Sequence, residues 1–179
     1  LWNPDETSDP QNTWAAIKNA IREHGNSIDV VIIDNMTCLS EGLTMSDKNE
    51  FIGVVVKELV ELAMKFDFEA IIFSHLNAPD KSARPHENGG RVLESQFTGS
   101  RALMRYSHLM IGFERNKSAV DTSCSLIRVL KNRKYGKTGF VKTYYNEQTG
   151  RLFQRNWEDD LYADAKIGKL NKSSTRDGE

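Results

Sequence analysis

Two short apolar runs with one long amphipathic stripe between them restrict this chain more than anything else in it. Residues 30–33 read Val-Val-Ile-Ile and residues 70–73 read Ala-Ile-Ile-Phe. Uninterrupted apolar runs of this kind fit strands covered on both faces, as in parallel sheets. Between them Phe51, Val54, Val55, Leu59, Leu62, Ala63 and Phe66 recur at helical spacing. Asp47, with Glu50 three residues on, predicts the start of that helix after a loop over 39–46. Strand, helix, strand at this spacing is a βαβ unit. The two strands are therefore expected to run parallel, with a right-handed crossover.

The flanking pattern extends this unit. Trp14, Ile17, Ala20 and Ile21 predict a helix over 13–23, stopped by Gly25 and preceded by an extended polar lead-in over 1–11. A short helix is expected over 100–106 and a third strand over 109–113. Strand-like segments follow over 125–130, 140–145 and 151–153. The stretches 136–139 (Gly-Lys-Thr-Gly) and 146–150 (Asn-Glu-Gln-Thr-Gly) separate them. These are hairpin signals, so an antiparallel edge is expected on the sheet. Beyond Trp157 the chain turns polar. The expected organisation is one domain over 1–156 and a disordered tail over 157–179.

Composition adds exclusions. With 39% hydrophobic and 27% charged residues, the chain suits a soluble globular domain. Its formal net charge of −1 carries no general attraction for nucleic acid, so any DNA contact must come from a local cluster. Cys38 and Cys124 lack metal-ligand spacing and read as reduced, core or near-core residues of a cytoplasmic protein. No apolar run approaches the roughly 18 residues that cross a bilayer, and no signal peptide is visible. The sequence begins at Leu1 rather than Met, and is expected to be part of a longer protein.

Four places carry possible chemistry, each with two readings. Asp34 directly follows the first apolar run, at the strand end where open α/β sheets bind ligands. It is either a magnesium-side carboxylate of a nucleotide hydrolase or a turn or helix-capping residue. Ser74 and His75 end the second run on the same edge. His75 either senses a terminal phosphate by hydrogen bonding or is structural. In an extended segment, residues two apart share a side, so Lys131 and Arg133 would form a cationic prong for a transferring phosphoryl group. The other reading is a solvated hairpin, with Lys134 and Lys137 close by. Residues 77–98 carry Asn77, Lys81, Arg84, His86 and Arg91, and are too long and polar for a plain connector. They either track a phosphate backbone or form a solvated loop.

Read in order, "VVIIDN", "IIFSHLNAPDK", "GSRAL", "IGFERN", "RVLKNRKYGKTG" and "YNEQTGRL" resemble one family. They are similar to the C-terminal part of hexameric replicative DNA helicases of the DnaB type, in the branch of phage primase-helicases and mitochondrial Twinkle. The likeness runs from about Thr13 to Phe153. It implies an α/β, RecA-like fold of the P-loop NTPase type: a mostly parallel sheet flanked by helices, with antiparallel hairpin strands at the C-terminal end.

The resemblance also implies residue roles. Asp34 matches the Walker B aspartate that supports Mg²⁺, with Asn35 beside it. His75 matches the sensor of the γ-phosphate, and Lys81 a basic residue of the central DNA-binding loop. Lys131 and Arg133 match a K-x-R element whose arginine acts as a finger on a neighbouring subunit's nucleotide. Arg105 stands where the family commonly has Gln, His108 where it has Asp, and Asn77 and Ala83 where close relatives carry lysine. The expected site is therefore Asp34, Asn35 and Arg105 toward nucleotide and metal, His75, Lys131 and Arg133 for catalysis, and Asn77, Lys81 and Arg84 for DNA.

The expected cofactors are ATP or dTTP with Mg²⁺. The expected partners are single-stranded DNA, further copies in a hexameric ring, and a primase or a separate N-terminal helicase fragment, with no membrane. These residues contain no G-x-x-x-x-G-K-S/T phosphate loop, and the one "GKT", at 136–138, lies in a hairpin. The Walker A portion and the catalytic glutamate are thus expected outside this segment, and the isolated chain is expected to be inactive. Two alternatives share the sequence features: a RecA or RadA-type recombinase, and a non-catalytic module that binds DNA or docks on a ring.

Overall fold

The computed structural model describes residues 9–154, which form two compact units. The first comprises residues 9–78 and 93–108, the second 79–92 and 109–154. The expected tail over 157–179 and most of the expected lead-in lie outside the described residues.

In the first unit, α1 spans Pro10–His24 and starts earlier than the apolar spacing indicates. Asp9 caps it, accepting hydrogen bonds from the N–H groups of Gln11 and Asn12, and Pro10 fits the first turn, where its missing N–H costs nothing. Gly25 ends the helix for a different reason from the one expected. Its backbone is right-handed, but a Cβ there would fall 2.5 Å from Phe66 Cγ. Glycine is needed for close approach rather than for a left-handed stop.

β1 is Val30–Ile33, as read from the sequence, and β2 is Glu69–Ile72. They pair in parallel, Val30 with Glu69 through Ile33 with Ile72, as the βαβ argument requires. Their covering differs from expectation. One side, with Ile33, is buried, whereas Val30, Ile32, Ile71 and Phe73 on the other are exposed. A continuous apolar run reports the character of both faces but not what lies against them.

Between the strands, residues 39–46 are not all loop, because α2 occupies Met36–Leu39. α3 spans Met45–Phe66 and so begins ahead of Asp47. Thr44 is its cap, accepting from the Asp47 N–H, while the Thr44 hydroxyl donates to the Asp47 carboxylate at 2.7 Å. Asp47 thus serves the cap from inside the first turn. The buried face is turned slightly from the expected stripe: Ile52, Val55, Val56 and Leu59 are buried and Val54 is exposed. Trp14 Nε1–H and the Lys18 ammonium both donate to Glu58, tying α1 to α3. Burial raises the Glu58 carboxyl, but these two donors outweigh it and hold it below the ordinary carboxylate range. α4 is Ser100–Tyr106, as expected, and packs on α3. Cys38 is exposed near the end of α2 and Cys124 is half-buried, so neither is a core residue.

The second unit is one antiparallel sheet in the order β3 (Leu109–Arg115), β4 (Cys124–Asn132), β5 (Gly139–Asn146), β6 (Arg151–Phe153). The antiparallel part therefore begins one strand earlier than the hairpin signals indicated. β3 alternates strictly, with Met110, Gly112 and Glu114 buried and Leu109, Ile111 and Phe113 exposed. A Cβ on Gly112 would sit 2.8 Å from Val92 Cγ1, so glycine lets residue 92 press onto the strand.

Glu114 completes that anchor. Its Oε1 accepts from the Val92 N–H at 2.8 Å, and its carboxylate takes both Nε and an Nη of Arg128. The long loop is pinned here and at Glu87, whose carbonyl accepts from the Lys117 N–H. Burial raises the Glu114 carboxyl, yet the Arg128 and Val92 donors and the charges of Arg128 and Arg91 bring it below the usual carboxylate value of 4.5. A carboxyl that ionises more readily folded than unfolded favours the folded state. That contribution is complete above pH 4.5 and is lost as pH falls through the lower folded value. Acid titration followed by tryptophan-independent probes, such as β-sheet circular dichroism, should show the sheet weakening only below that point. Glu114→Gln should flatten the dependence.

Candidate functional site

The carboxyl ends of β1 and β2 meet at one edge of the parallel pair. The ladder continues past both strands: the Phe73 N–H donates to the Ile33 carbonyl and the Met36 N–H to the Phe73 carbonyl, each at 2.9 Å. This stitching brings residues 34–37 and 73–75 together, as the two polar tips predicted.

Asp34 and Asn35 divide the work there. The capping role open to Asp34 belongs to Asn35, whose Oδ1 accepts from the Cys38 N–H at 2.9 Å and starts α2. Asp34 is exposed, and its carboxylate makes no hydrogen bond or ion pair among the described residues. The cis peptide of this structure lies between the two residues.

The cap also determines the state of His75. Because Asn35 Oδ1 is engaged, Asn35 presents its Nδ2–H₂ to His75 Nε2, 3.4 Å away. An N–H donor facing Nε2 requires that nitrogen to be an acceptor, which puts the imidazole proton on Nδ1. The His75 backbone is held on both sides: its N–H donates to Thr37 Oγ1, and its carbonyl accepts from the Thr98 N–H and hydroxyl, all at 3.3 Å. Thr98 is buried, and its hydroxyl lies 3.4 Å from Asn77 Oδ1. Neither threonine was legible as a site residue. Both act from separate segments, and a lone Thr carries no motif.

The remaining expected residues are distributed as follows. Arg105 is exposed in the last turn of α4, its guanidinium 5.5 Å from the Tyr106 ring centre. Asn77 belongs to the first unit, while Lys81 and Arg84 are exposed in the second. Lys131 and Arg133 are not two positions of one extended strand. β4 ends at Asn132, Lys131 is half-buried within it, and Arg133 is exposed in the following turn. Asn132 makes that turn, its side chain accepting from the Tyr135 N–H and its carbonyl from the Gly136 N–H. The same-side argument for the prong therefore fails, although both cations stay at the end of β4.

A hard cation fits this donor set. Magnesium prefers oxygen and is commonly held through one or two carboxylates, with its own waters and substrate phosphates completing the shell. Asp34 supplies one unengaged, exposed carboxylate of that kind. No cluster of three or more His, Cys, Asp or Glu side chains able to enclose a metal occurs among the described residues. Nor is any helix among them long and apolar enough to cross a membrane.

A parallel βαβ pair with polar strand tips, followed by an antiparallel sheet, defines a RecA-like α/β fold, that of replicative-helicase ATPase domains. Structural neighbours bear this out: a structure solved as an isolated ATPase domain has a TM-score of 0.59 at 17% identity, covering 83% of this chain and 52% of that one. A DnaB-like replicative helicase, solved in a study of its interactions with primase, gives 0.61 at 18% identity, covering 83% of this chain and 36% of that one. In sequence, the DNA helicase/primase of Enterobacteria phage T3 is 30% identical over 136 residues, 75% of this chain. The chain spans 24% of that protein's length. No family model matches. The chain is thus similar to the C-terminal region of DnaB-type helicases, as its ordered motifs implied.

Proposed function

We propose that this chain is part of the motor of a replicative DNA helicase, which couples NTP hydrolysis to movement along single-stranded DNA and to duplex unwinding. The observation that carries this reading is the meeting of Asp34, Asn35 and His75 at one edge of the parallel pair, with Asn35 facing His75 at 3.4 Å. The similarity to the phage helicase/primase supports it.

In this reading Asp34 holds Mg²⁺ on the nucleotide side, and Asn35 orients His75. A bound Mg²⁺ supplies charge neutralisation for the phosphate oxygens. His75 has Nε2 occupied by Asn35, so its Nδ1–H is the donor left to meet a terminal phosphate. Arg105 lies toward the nucleotide. Asn77, Lys81 and Arg84 contact single-stranded DNA, which they hold through its phosphates. Lys131 and Arg133 serve a neighbouring subunit's nucleotide, so the working unit is a ring, with six copies as the family likeness suggests. ATP or dTTP is the nucleotide, a primase the partner, and the cytoplasm of an infected host the compartment. The phosphate cradle comes from residues other than these 179.

The test is phosphate release. The 179-residue chain should give no DNA-stimulated turnover with ATP or dTTP and Mg²⁺. Added to a DnaB-type ring that lacks its own arginine finger, it should restore turnover. Sustained hydrolysis by the chain alone would overturn the split-site reading. Binding to the ring without restored turnover would favour the docking-module alternative instead.

A further inference from the structure

Thr98 offers one hydroxyl proton to two acceptors. Its Oγ1 lies 3.3 Å from the His75 carbonyl oxygen and 3.4 Å from Asn77 Oδ1. A hydroxyl has a single donor, so it serves one acceptor at a time. Neither position leaves the His75 carbonyl bare, because the Thr98 backbone N–H also donates to it at 3.3 Å. The exchange therefore costs little at the carbonyl. At Asn77 the backbone is fixed by its own hydrogen bond to the Gln96 carbonyl, at 2.6 Å, so the side chain rather than the main chain is free to respond. Thr98 itself is buried, which excludes water as a competing partner.

We infer that Thr98 is a positioning residue: a two-position joint that passes a change at the His75 strand tip to Asn77, at the root of the long loop, and back. When the proton points at His75, Asn77 Oδ1 is left to outside donors. When it points at Asn77, the His75 carbonyl keeps only the N–H. Coupling of this kind is reciprocal, so whatever engages Asn77 also alters the hydrogen bonding of His75. Its use in a helicase rests on the function proposed above, with His75 on the nucleotide side and Asn77 on the DNA side. The joint itself does not.

The test uses the 179-residue chain and needs neither nucleotide nor DNA. Asn77→Asp places a stronger acceptor beside the Thr98 hydroxyl and should draw its proton away from His75. The readout is the carbonyl ¹³C resonance of His75, which reports hydrogen bonding to that oxygen. Asn77→Asp should shift it, and the shift should disappear in the Thr98→Val background and persist with Thr98→Ser, which keeps the hydroxyl. Thr98→Ala serves as a second variant should valine disturb folding, with the other backbone amides as the control. No shift with Asn77→Asp alone, or the same shift when residue 98 lacks a hydroxyl, would overturn the joint. A second arm titrates the chain with a single-stranded oligonucleotide. A hydroxyl-dependent Asn77→Asp effect without oligonucleotide binding keeps the joint and counts against the DNA role.

Discussion

Arg128→Ala is expected to destabilise the protein by about 3–5 kcal/mol, the scale for removing one partner of a buried ion pair. The Glu114 side chain is only 3% exposed and Arg128 15%, so the charge left behind has little access to water. The loss goes beyond one interaction. Glu114 also accepts the Val92 N–H, and an unpartnered carboxylate will draw in water or shift, loosening the end of the 79–92 segment from β3. The aliphatic part of Arg128 lies near Phe140, whose ring centre is 5.2 Å from the guanidinium carbon, so alanine removes packing as well. Denaturant unfolding followed by circular dichroism measures the effect. The double variant Glu114→Gln with Arg128→Met should be milder than Arg128→Ala, because it removes both charges and keeps an acceptor for Val92. A double variant as damaging as the single one would show that packing, not charge, sets the cost.

Arg133→Ala is expected to abolish the restoration of turnover when the chain is added to a finger-deficient ring, a loss on the order of 10³-fold or more if Arg133 acts as an arginine finger. Arg133→Lys should recover little of it, since an ammonium lacks the planar fork of the guanidinium. Folding should be unaffected, because Arg133 is exposed in a turn closed by Asn132 and Gly136. Phosphate release measured against ring concentration separates weak docking from lost chemistry. An Arg133→Ala chain that restores turnover as well as the unaltered one would remove Arg133 from the site.

How far these features could be read from sequence depended on the range of the signal. β1, α4 and β6 were legible to the residue, because an apolar run bounded by polar or turn residues marks both ends. The meeting of Asp34 with His75 followed from the parallel βαβ unit alone. α2 was not legible: four residues, Met-Thr-Cys-Leu, cannot display a helical period, and its cap sat in plain view as Asn35. The start of α3 was misplaced because Thr44 and Asp47 both look like caps, and the tie between them resolves only in three dimensions. The Glu114–Arg128 pair spans 14 residues and crosses strands, so no local pattern announces it. Lys131 and Arg133 looked like neighbours on one strand because nothing in the spacing K-x-R shows where a strand gives way to a turn.

The uncovered side of β1 and β2 has a practical consequence. Val30, Ile32, Ile71 and Phe73 put four large greasy groups side by side on a nearly flat surface. Water gains by giving up such a surface, and gains more as the temperature rises toward ambient or as sulfate is added. Samples of this chain will be most tractable cold, dilute and in chloride. Light scattering should climb on warming well before the secondary structure melts, so turbidity curves will report stickiness rather than unfolding.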